Sequence, residues 1–383
     1  MKLTEYRIPF NRPSMVGREA LYMTNSVRVG KISGDGPYTQ KCHSLFTEMY
    51  GFNNCLLTTS CTHALELAAL VLNIKPGDEV ILPSYTFVST ANAFALRGAS
   101  LKFADSQAEH PNICVKSVES LITKKTKVVV PVHYAGVACP MEGLAELALS
   151  VGAKIVEDAA QAIDCYYRGI PLGGIGDCGA FSFHETKNII AGEAGLFVAK
   201  DDALAALAEI VREKGTNRSA FFRGEVDRYG WRSLGSSYLP SDLISAFLLA
   251  QLECKDKILS KRRSDWERYQ QNLAGAVDFG VSLPAIPSDV RHNGHIFYLV
   301  FNSSEQRIWV ENELRRVGIL AATHYRSLEK SEYFRGRYYG KDLRNSHRYS
   351  QCLLRLPLYY DITKEEVDDV SHTVLNALKS CNC

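Results

Sequence analysis

The 383-residue sequence lacks long apolar runs and has almost no net charge. No stretch of 18 apolar residues occurs, which argues against a membrane-spanning helix. The net charge of +2 disfavours binding to nucleic acid or to a membrane surface through bulk charge. The first residues, from Met1 to Arg7, lead into no signal-like apolar segment. We therefore expect a cytoplasmic protein with no nucleic-acid or membrane partner.

Cysteine pairs with metal-binding spacing are also missing. The 11 cysteines are scattered and odd in number, and no pair has the two-residue spacing of common zinc and redox motifs. His292 and His295 lack a partnered ligand cluster, and Cys381 and Cys383 form only a short tail. We expect free, largely buried thiols and no metal, as is usual for cysteine in a cytosolic chain.

The sequence does contain a regular alternation of short apolar runs and helical segments. The length suggests about two domains of roughly 100 to 200 residues each. No internal repeat or low-complexity segment interrupts the pattern. Such alternation predicts an α/β fold, with a mostly parallel sheet, right-handed crossovers and helices on both faces. The predicted strands are 54–58, 79–82, 101–104, 128–132 and 153–156, and the helices are 64–72, 91–96, 115–124 and 141–150.

The pattern changes after residue 240. A single long helix is predicted over 242–273, with its charged second half in solvent. The later segments predict a small α+β domain. We therefore expect a large domain over 1–240, a connecting helix over 241–275 and a small domain over 276–383. The segments behind this prediction are strands near 297–301, 321–325 and 354–358 and helices near 308–317 and 364–378.

Aromatic and arginine side chains interleave between residues 217 and 232. Such a mixture can stack on RNA bases. The surrounding glycines and acids favour a loop at a cleft edge or at a subunit contact instead.

An acid and a lysine follow two of the apolar runs. Asp158 ends the run 153–156, and Lys187 follows a glycine-rich passage and a second run that contains Ser182. Pyridoxal phosphate needs both types of residue. A carboxylate holds the proton on its pyridine nitrogen and a lysine carries its aldehyde as a Schiff base, while a hydroxyl such as that of Ser182 binds its phosphate. The alternative is a solvated acid and a surface lysine, and these residues alone do not exclude it.

The polar segment 60–62 lies between a predicted strand and a predicted helix. The first N–H groups of a helix lack partners and attract anions, so a phosphate can bind there. The same residues also fit an ordinary helix cap. Ligands of parallel sheets lie at the carboxyl ends of the strands, so several polar segments are expected in one crevice. These segments are 60–62, 84–87, 133–134, Asp158 and 182–187.

Together these motifs resemble the DegT/StrS family of nucleotide-sugar aminotransferases. The resemblance extends from about residue 8 to about residue 363. It implies a fold-type I transferase that binds pyridoxal phosphate, with a large domain around a mostly parallel sheet and a small C-terminal α+β domain. It also implies a homodimer with shared active sites. The matching segments are Ser60-Cys61-Thr62, Pro83 to Phe87, Glu157 to Gln161, Phe181 to Asn188 and Gly192-Glu193.

The resemblance implies a role for each matching residue. Lys187 is the expected catalytic residue, which carries the cofactor and moves a proton, and Asp158 keeps the ring nitrogen charged. The other expected cofactor contacts are Cys61, Thr62, Phe87, Gln161, Ser182, His184 and, from the second subunit, Ser237. The expected substrate contacts are Tyr85, His324 and Tyr325.

Four further stretches indicate the substrate. They resemble transaminases that convert dTDP-4-keto-6-deoxyglucose into dTDP-4-amino-4,6-dideoxygalactose, with glutamate as amino donor. Amination at C3 or with the opposite C4 configuration remains an alternative. So does a dehydratase, which is expected to have histidine in place of Lys187, and so does a protein that only binds nucleotide sugar or cofactor. The stretches are 83–97, 131–139, 212–219 and 235–239.

Two segments differ from the family pattern. The chain has Ala194 where relatives often have glycine, and we expect the loop to differ there because alanine tolerates positive φ less well. The charged segment 326–330 replaces a Pro-Leu-His motif near the same position. We expect it to place charge at a sugar-facing loop.

Overall fold

A computed structural model describes residues 6–381. The first nine strands are β1 Cys55–Thr58, β2 Glu79–Pro83, β3 Ser100–Ala104, β4 Thr126–Val129, β5 Lys154–Asp158, β6 Tyr166–Tyr167, β7 Ile170–Pro171, β8 Cys178–Ser182 and β9 Gly195–Ala199. In the described part of the chain, seven of them form one sheet in the order β1-β9-β8-β5-β4-β2-β3. β9 runs opposite to the other six strands of this sheet. The predicted mostly parallel sheet is confirmed.

Helices cover both faces of this sheet. Val80 and Leu82 of β2 belong to a core with the helices that follow β1 and β2, whereas Ile81 packs with the helix that precedes β5. Because both faces are buried, the strands appear in the sequence as continuous apolar runs. The helices are α1 Glu19–Val29, α2 Pro37–Tyr50, α3 Cys61–Val71, α4 Val88–Ala95, α5 Val115–Glu119, α6 Met141–Ser150, α7 Asp202–Arg212, α8 Arg218–Phe222, α9 Asp242–Glu253, α10 Lys255–Asn272, α11 Ser304–Arg316, α12 Arg344–Cys352 and α13 Lys364–Ser380.

The C-terminal part has its own core. Its strands are β10 Val290–Arg291, β11 Tyr298–Val300 and β12 Leu353–Arg355, of which β11 and β12 pair antiparallel. β10 pairs with β6 instead, and the buried side chains of β11 and β12 pack with α11 and α13. Ile8 of the N-terminal segment joins the same core and forms a backbone bridge with Ile319. The α+β character follows the expectation, while the domain limits at 240 and 275 stay a prediction.

The single helix predicted over 242–273 is wrong, because the structure has two helices there. Cys254 separates α9 from α10 with φ −102° and ψ 9°. Its thiol lies 3.8 Å from the carbonyl oxygen of Val16 in the N-terminal segment. The break lets α9 pack against α1 and α2 while α10 packs against α13.

The charged half of the predicted long helix is not simply solvated. Arg262 of α10 is only 3% exposed and donates hydrogen bonds to the carbonyl oxygens of His295 and Leu358. A buried cation is tolerated when such acceptors replace water. The charged sequence of α10 therefore did not indicate its contacts with the C-terminal part.

The structure also differs from the prediction at the helix 115–124 and at the strand 321–325. α5 ends at Glu119 rather than at 124, because the Thr126 hydroxyl accepts the backbone N–H of Thr123 at 2.9 Å in the turn before β4. Segment 321–325 forms one bridge, between Ala322 and Arg355, instead of a strand.

Across residues 6–381, no helix is both long enough and apolar enough to cross a bilayer. Every cysteine in that range is a free thiol. Part of the segment considered for a signal, 1–5, and Cys383 of the cysteine tail lie outside the described residues.

Candidate active site

A cavity of about 540 Å³ lies at the carboxyl ends of the parallel strands. Its walls come from the ends of β5 and β8, the N-termini of α3 and α4, and the C-terminal part of the chain. Because these segments are far apart in sequence, only the fold brings them together. The predicted site residues that line the cavity are Lys187, Cys61, Thr62, Phe87, Asp158, Gln161, Ser182, His184, His324 and Tyr325.

Asp158 is the last residue of β5 and is 5% exposed. Its carboxylate accepts hydrogen bonds from the Thr90 hydroxyl at 2.7 Å and from the backbone N–H of Ala160 at 3.1 Å. Burial raises the pKa of Asp158, whereas these hydrogen bonds and nearby Lys187 act in the opposite direction. The carboxylate is held in one orientation, ready for a cationic partner in the cavity.

Lys187 lies in the loop between β8 and β9. Its backbone N–H donates to the carbonyl oxygen of His184 at 2.9 Å, which fixes the loop. Removal from bulk water lowers the pKa of Lys187, while Cys61 and Asp158 favour the charged amine. A lowered pKa increases the fraction of neutral amine, which is the form that attacks a carbonyl carbon.

The N-terminus of α3 is both a capped helix end and a possible anion site. The Ser60 hydroxyl accepts the backbone N–H of His63 at 3.1 Å, so Ser60 is the N-cap. Among the described residues, the N–H groups of Cys61 and Thr62 have no hydrogen-bond partner. The helix dipole favours an anion beside them, and the Ser182 hydroxyl lines the same cavity.

Gly195 allows β9 to approach this helix end closely. A Cβ at this position would lie 2.4 Å from the carbonyl oxygen of Ser60 and 2.5 Å from the backbone nitrogen of Cys61. Ala194, the residue before it, has an ordinary negative φ and is 1% exposed, whereas Gly192 has φ 76°. The position therefore does not require glycine, and the difference expected in the loop stays a prediction.

Gln161 and Tyr325 form part of another wall. The Gln161 side-chain NH₂ donates to the Tyr325 hydroxyl at 2.9 Å, and its oxygen accepts the backbone N–H of Ala135 at 2.6 Å. Phe87, the N-cap residue of α4, lies 6.2 Å from the Tyr325 ring between centroids and is 55% exposed. Its open ring face is available to stack on a planar ligand.

His324 contributes a neutral imidazole. Its Nδ1 lies 2.7 Å from the Tyr134 hydroxyl. Burial, followed by the charges of Arg355 and Lys187, lowers the pKa of His324. When Tyr134 donates to Nδ1, the ring proton is on Nε2, where it can donate to a ligand.

His184 lies at the edge of the cavity. Its Nδ1 is 2.9 Å from the Thr186 hydroxyl, and its Nε2 is 3.5 Å from the Glu193 carboxylate. These contacts orient the imidazole beside the loop that carries Lys187.

Two predicted site residues do not line this cavity. Tyr85 is 1% exposed and packs edge-on against Tyr325, with ring centroids 5.6 Å apart. It supports the wall instead of making the direct substrate contact expected from the sequence. Ser237 is exposed outside the cavity, where its backbone forms a bridge with Glu213.

The charged segment 326–330 lies outside the cavity, which its sequence did not indicate. All five residues are described, and none of them lines the cavity. Glu329 is buried, and its carboxylate contacts the Ser84 hydroxyl and His347. The expectation of charge at a sugar-facing loop is therefore wrong for Glu329, which ties this segment to the end of β2.

Sequence reasoning missed Thr90 and Arg355. Thr90 contacts Asp158 through the packing of α4, and no sequence pattern indicates that contact. Arg355 lines the cavity from β12. Its signal was a single cation within the apolar run 353–358.

Glu157, next to Asp158, is fully buried and satisfies several donors. Its carboxylate accepts hydrogen bonds from His133 Nε2 at 2.8 Å and from the backbone N–H groups of Gly173, Ile175 and Gly176. This carboxylate therefore joins β5 to the glycine-rich passage before β8.

Glu157→Gln is expected to lower the free energy of unfolding by about 3–5 kcal/mol, because an NH₂ group then faces buried donors and the charge is lost. Urea unfolding followed by circular dichroism measures the change. Glu119→Gln, at an exposed position of α5, is the matched control and should change stability by less than about 0.5 kcal/mol. Equal effects of the two substitutions would contradict this account of Glu157.

Among residues 6–381 there is no group of three or more histidine, cysteine, aspartate or glutamate side chains placed to hold a metal ion. The cavity instead combines an amine, a buried carboxylate, hydroxyls and free backbone N–H groups. Such a set could hold a phosphate-bearing ligand with a carbonyl group and a basic ring nitrogen.

Residues 13–375 match the model of the DegT/DnrJ/EryC1/StrS aminotransferase family. The chain belongs to this family. It is an aminotransferase, and pyridoxal phosphate is its cofactor. The predicted family, enzyme class and cofactor are confirmed.

Solved structures of the family share the whole fold. The aminotransferase TlmJ from Streptoalloteichus hindustanus is 26% identical, with a TM-score of 0.89 over 97% of this chain and 99% of its own. Spr1654 from Streptococcus pneumoniae in its PMP form is also 26% identical, with a TM-score of 0.89 over 97% of this chain and 99% of its own. DesV from S. venezuelae is 26% identical, with a TM-score of 0.89 over 98% of this chain and 100% of its own. The predicted fold-type I architecture is confirmed.

Proposed function

We propose that this aminotransferase moves an amino group from L-glutamate to the C4 keto group of dTDP-4-keto-6-deoxyglucose. The products are dTDP-4-amino-4,6-dideoxygalactose and 2-oxoglutarate. The choice of substrate is supported by four stretches that resemble transaminases of this type, namely 83–97, 131–139, 212–219 and 235–239. Spr1654, described as a candidate sugar aminotransferase, supports a sugar acceptor.

The observation that carries the cofactor assignment is the presence of Lys187 and Asp158 in one cavity with the free N–H groups of α3. Bound pyridoxal phosphate supplies an electron sink for the substrate carbon. Asp158 would hold the proton of the ring nitrogen, and its two hydrogen bonds fix its direction. Lys187 would hold the cofactor aldehyde, and its Nζ atom would move a proton at the substrate carbon as general base and acid.

The other cavity residues divide between the phosphate and the ring. Cys61 and Thr62 offer backbone N–H groups to the phosphate, and the Ser182 hydroxyl adds a further donor. Phe87 would pack against the cofactor ring. Gln161, held by Tyr325, would contact the same ring, and His184 lies at the cavity edge.

The two substrates use the cavity in turn. Glutamate would give its amino group to the bound cofactor and leave as 2-oxoglutarate, and the keto sugar would then take that amino group. His324 and Tyr325 border the space for these reacting groups, and Tyr85 supports Tyr325 from within the core. Binding of the nucleotide away from the reaction centre lets one pocket accept two substrates of different shape.

We infer that two chains share their active sites in a homodimer. Large exposed apolar side chains support this inference, since exposed apolar surface is common at interaction sites. Trp231 is 79% exposed and Phe222 is 69% exposed in the loop region before Ser237, and Leu21 of α1 is 59% exposed. In this arrangement Ser237 contacts the phosphate site of the partner chain. Sedimentation equilibrium should give the mass of two chains, and a monomer with full activity would contradict the shared site.

Product analysis tests the proposed reaction. The enzyme with pyridoxal phosphate, L-glutamate and dTDP-4-keto-6-deoxyglucose should give a C4 amine of the galacto configuration, identified by NMR and mass spectrometry. An amine at C3, or the gluco configuration, would instead establish the related aminotransferase reaction. Failure to take up the cofactor would favour a protein that only binds nucleotide sugar.

A further inference from the structure

Arg355 brings a positive charge into the cavity from β12. Its Nη2 donates to the carbonyl oxygen of Thr323 at 2.9 Å. The centre of its guanidinium lies 4.6 Å from the centroid of the Phe10 ring, a cation–π distance. These contacts hold the guanidinium in place from both the C-terminal part and the N-terminal segment.

The charge of Arg355 has no acidic partner among residues 6–381. The cavity carboxylates have other contacts, since Asp158 accepts from a hydroxyl and a backbone N–H, while Glu193 lies by His184. The Nε of Arg355 is buried and makes no hydrogen bond within the described chain. A partly buried cation without an anion beside it is unfavourable, so this arrangement favours an anionic ligand.

The position of Arg355 indicates which anionic group of the cofactor or the substrates it binds. The cofactor phosphate is already matched by the N-terminus of α3. The diphosphate of a sugar nucleotide is bonded to C1, across the ring from the keto group at C4. In an α-amino acid, by contrast, one carboxylate is bonded to the carbon that carries the reacting amine. That carboxylate must lie near Lys187, and Arg355 is close enough to disfavour the charged form of that lysine.

We propose that Arg355 binds a carboxylate of the amino donor, so that it selects an amino acid for the first half of the reaction. This proposal rests on the proposed aminotransferase function. A planar guanidinium is suited to this task because it can donate two parallel hydrogen bonds to one carboxylate.

Equilibrium binding of glutarate tests the proposal without any turnover. Glutarate is a dicarboxylate with no amino group, and calorimetry on the holoenzyme measures its Kd. Arg355→Met should raise this Kd about 10- to 100-fold, because charge-assisted hydrogen bonds are lost. Arg355→Lys keeps the charge but not the paired geometry and should fall between wild type and Arg355→Met.

Arg348→Met is the matched control. Arg348 is an arginine of α12 outside the cavity, where it donates to the carbonyl oxygen of Ala108 at 3.1 Å. This variant should bind glutarate as wild type does. A Kd that is equal in wild type and Arg355→Met, or no glutarate binding by wild type, would overturn the proposal.

The two half-reactions, followed separately by stopped-flow absorbance, identify the ligand. In Arg355→Met, the reaction with glutamate should slow about 10- to 100-fold, whereas the reaction of the aminated enzyme with the keto sugar should change less than about twofold. Equal losses in both halves would overturn the assignment to the donor. If wild type binds glutarate through Arg355 but forms no amino sugar, the proposed function fails while the carboxylate site stands.

Discussion

Lys187→Ala is expected to lower the rate of transamination at least about 1,000-fold, because it removes both the attachment point of the cofactor and the proton-transfer group. Lys187 is suited to both tasks. It lies in the same cavity as Asp158, and its withdrawal from bulk water lowers its pKa. A steady-state assay of 2-oxoglutarate formation measures the loss.

Lys200→Ala is the matched control for this experiment. Lys200 follows β9 and is exposed, and its amine donates to the carbonyl oxygen of Ile175 outside the cavity. This variant should keep the rate within about twofold of wild type. If Lys187→Ala retained a tenth or more of the wild-type rate while folded, the role proposed for Lys187 would be wrong.

Asp158→Asn is expected to lower the rate of both half-reactions about 100- to 1,000-fold, because an amide cannot hold the positive charge of the protonated ring nitrogen. The substitution preserves size. The remaining oxygen can accept the backbone N–H of Ala160, and the new NH₂ group can donate to the Thr90 hydroxyl. The loss should therefore appear in the rate and not mainly in stability. Single-turnover rates with glutamate and with the keto sugar measure it.

Asp289→Asn controls for the loss of a carboxylate as such. Asp289 accepts a hydrogen bond from Arg168 at 3.2 Å on the surface and does not line the cavity. Its replacement should leave both rates unchanged within about twofold.

If Asp158→Asn slowed only one of the two half-reactions, a role of Asp158 on the ring nitrogen would be contradicted, since both half-reactions use the same ring.

The sheet and much of the cavity could be predicted because the information is local. Strands buried on both faces give continuous apolar runs, and the polar residues directly after those runs mark their carboxyl ends. For this reason the sequence predicts Asp158, Ser182 and the segment 60–62 in one crevice, and all of them line the cavity. The rule that such ends share one edge of a parallel sheet then required no knowledge of the packing.

Other features depend on contacts between distant parts of the chain. Arg355 reaches the cavity only because the C-terminal part packs against the carboxyl edge of the sheet. The break at Cys254 depends on different partners of α9 and α10. The family resemblance implies a substrate contact for Tyr85, but the neighbouring tyrosines enclose it. Local patterns carry no signal for such packing.

The most direct test of the central claim maps where the cofactor attaches. Wild-type protein is incubated with pyridoxal phosphate and reduced with borohydride, and its peptides are analysed by mass spectrometry. We expect the cofactor mass on the peptide that contains Lys187, with no such label in Lys187→Ala. A label on another lysine, or none in wild type, would contradict the assignment of this cavity as the active site.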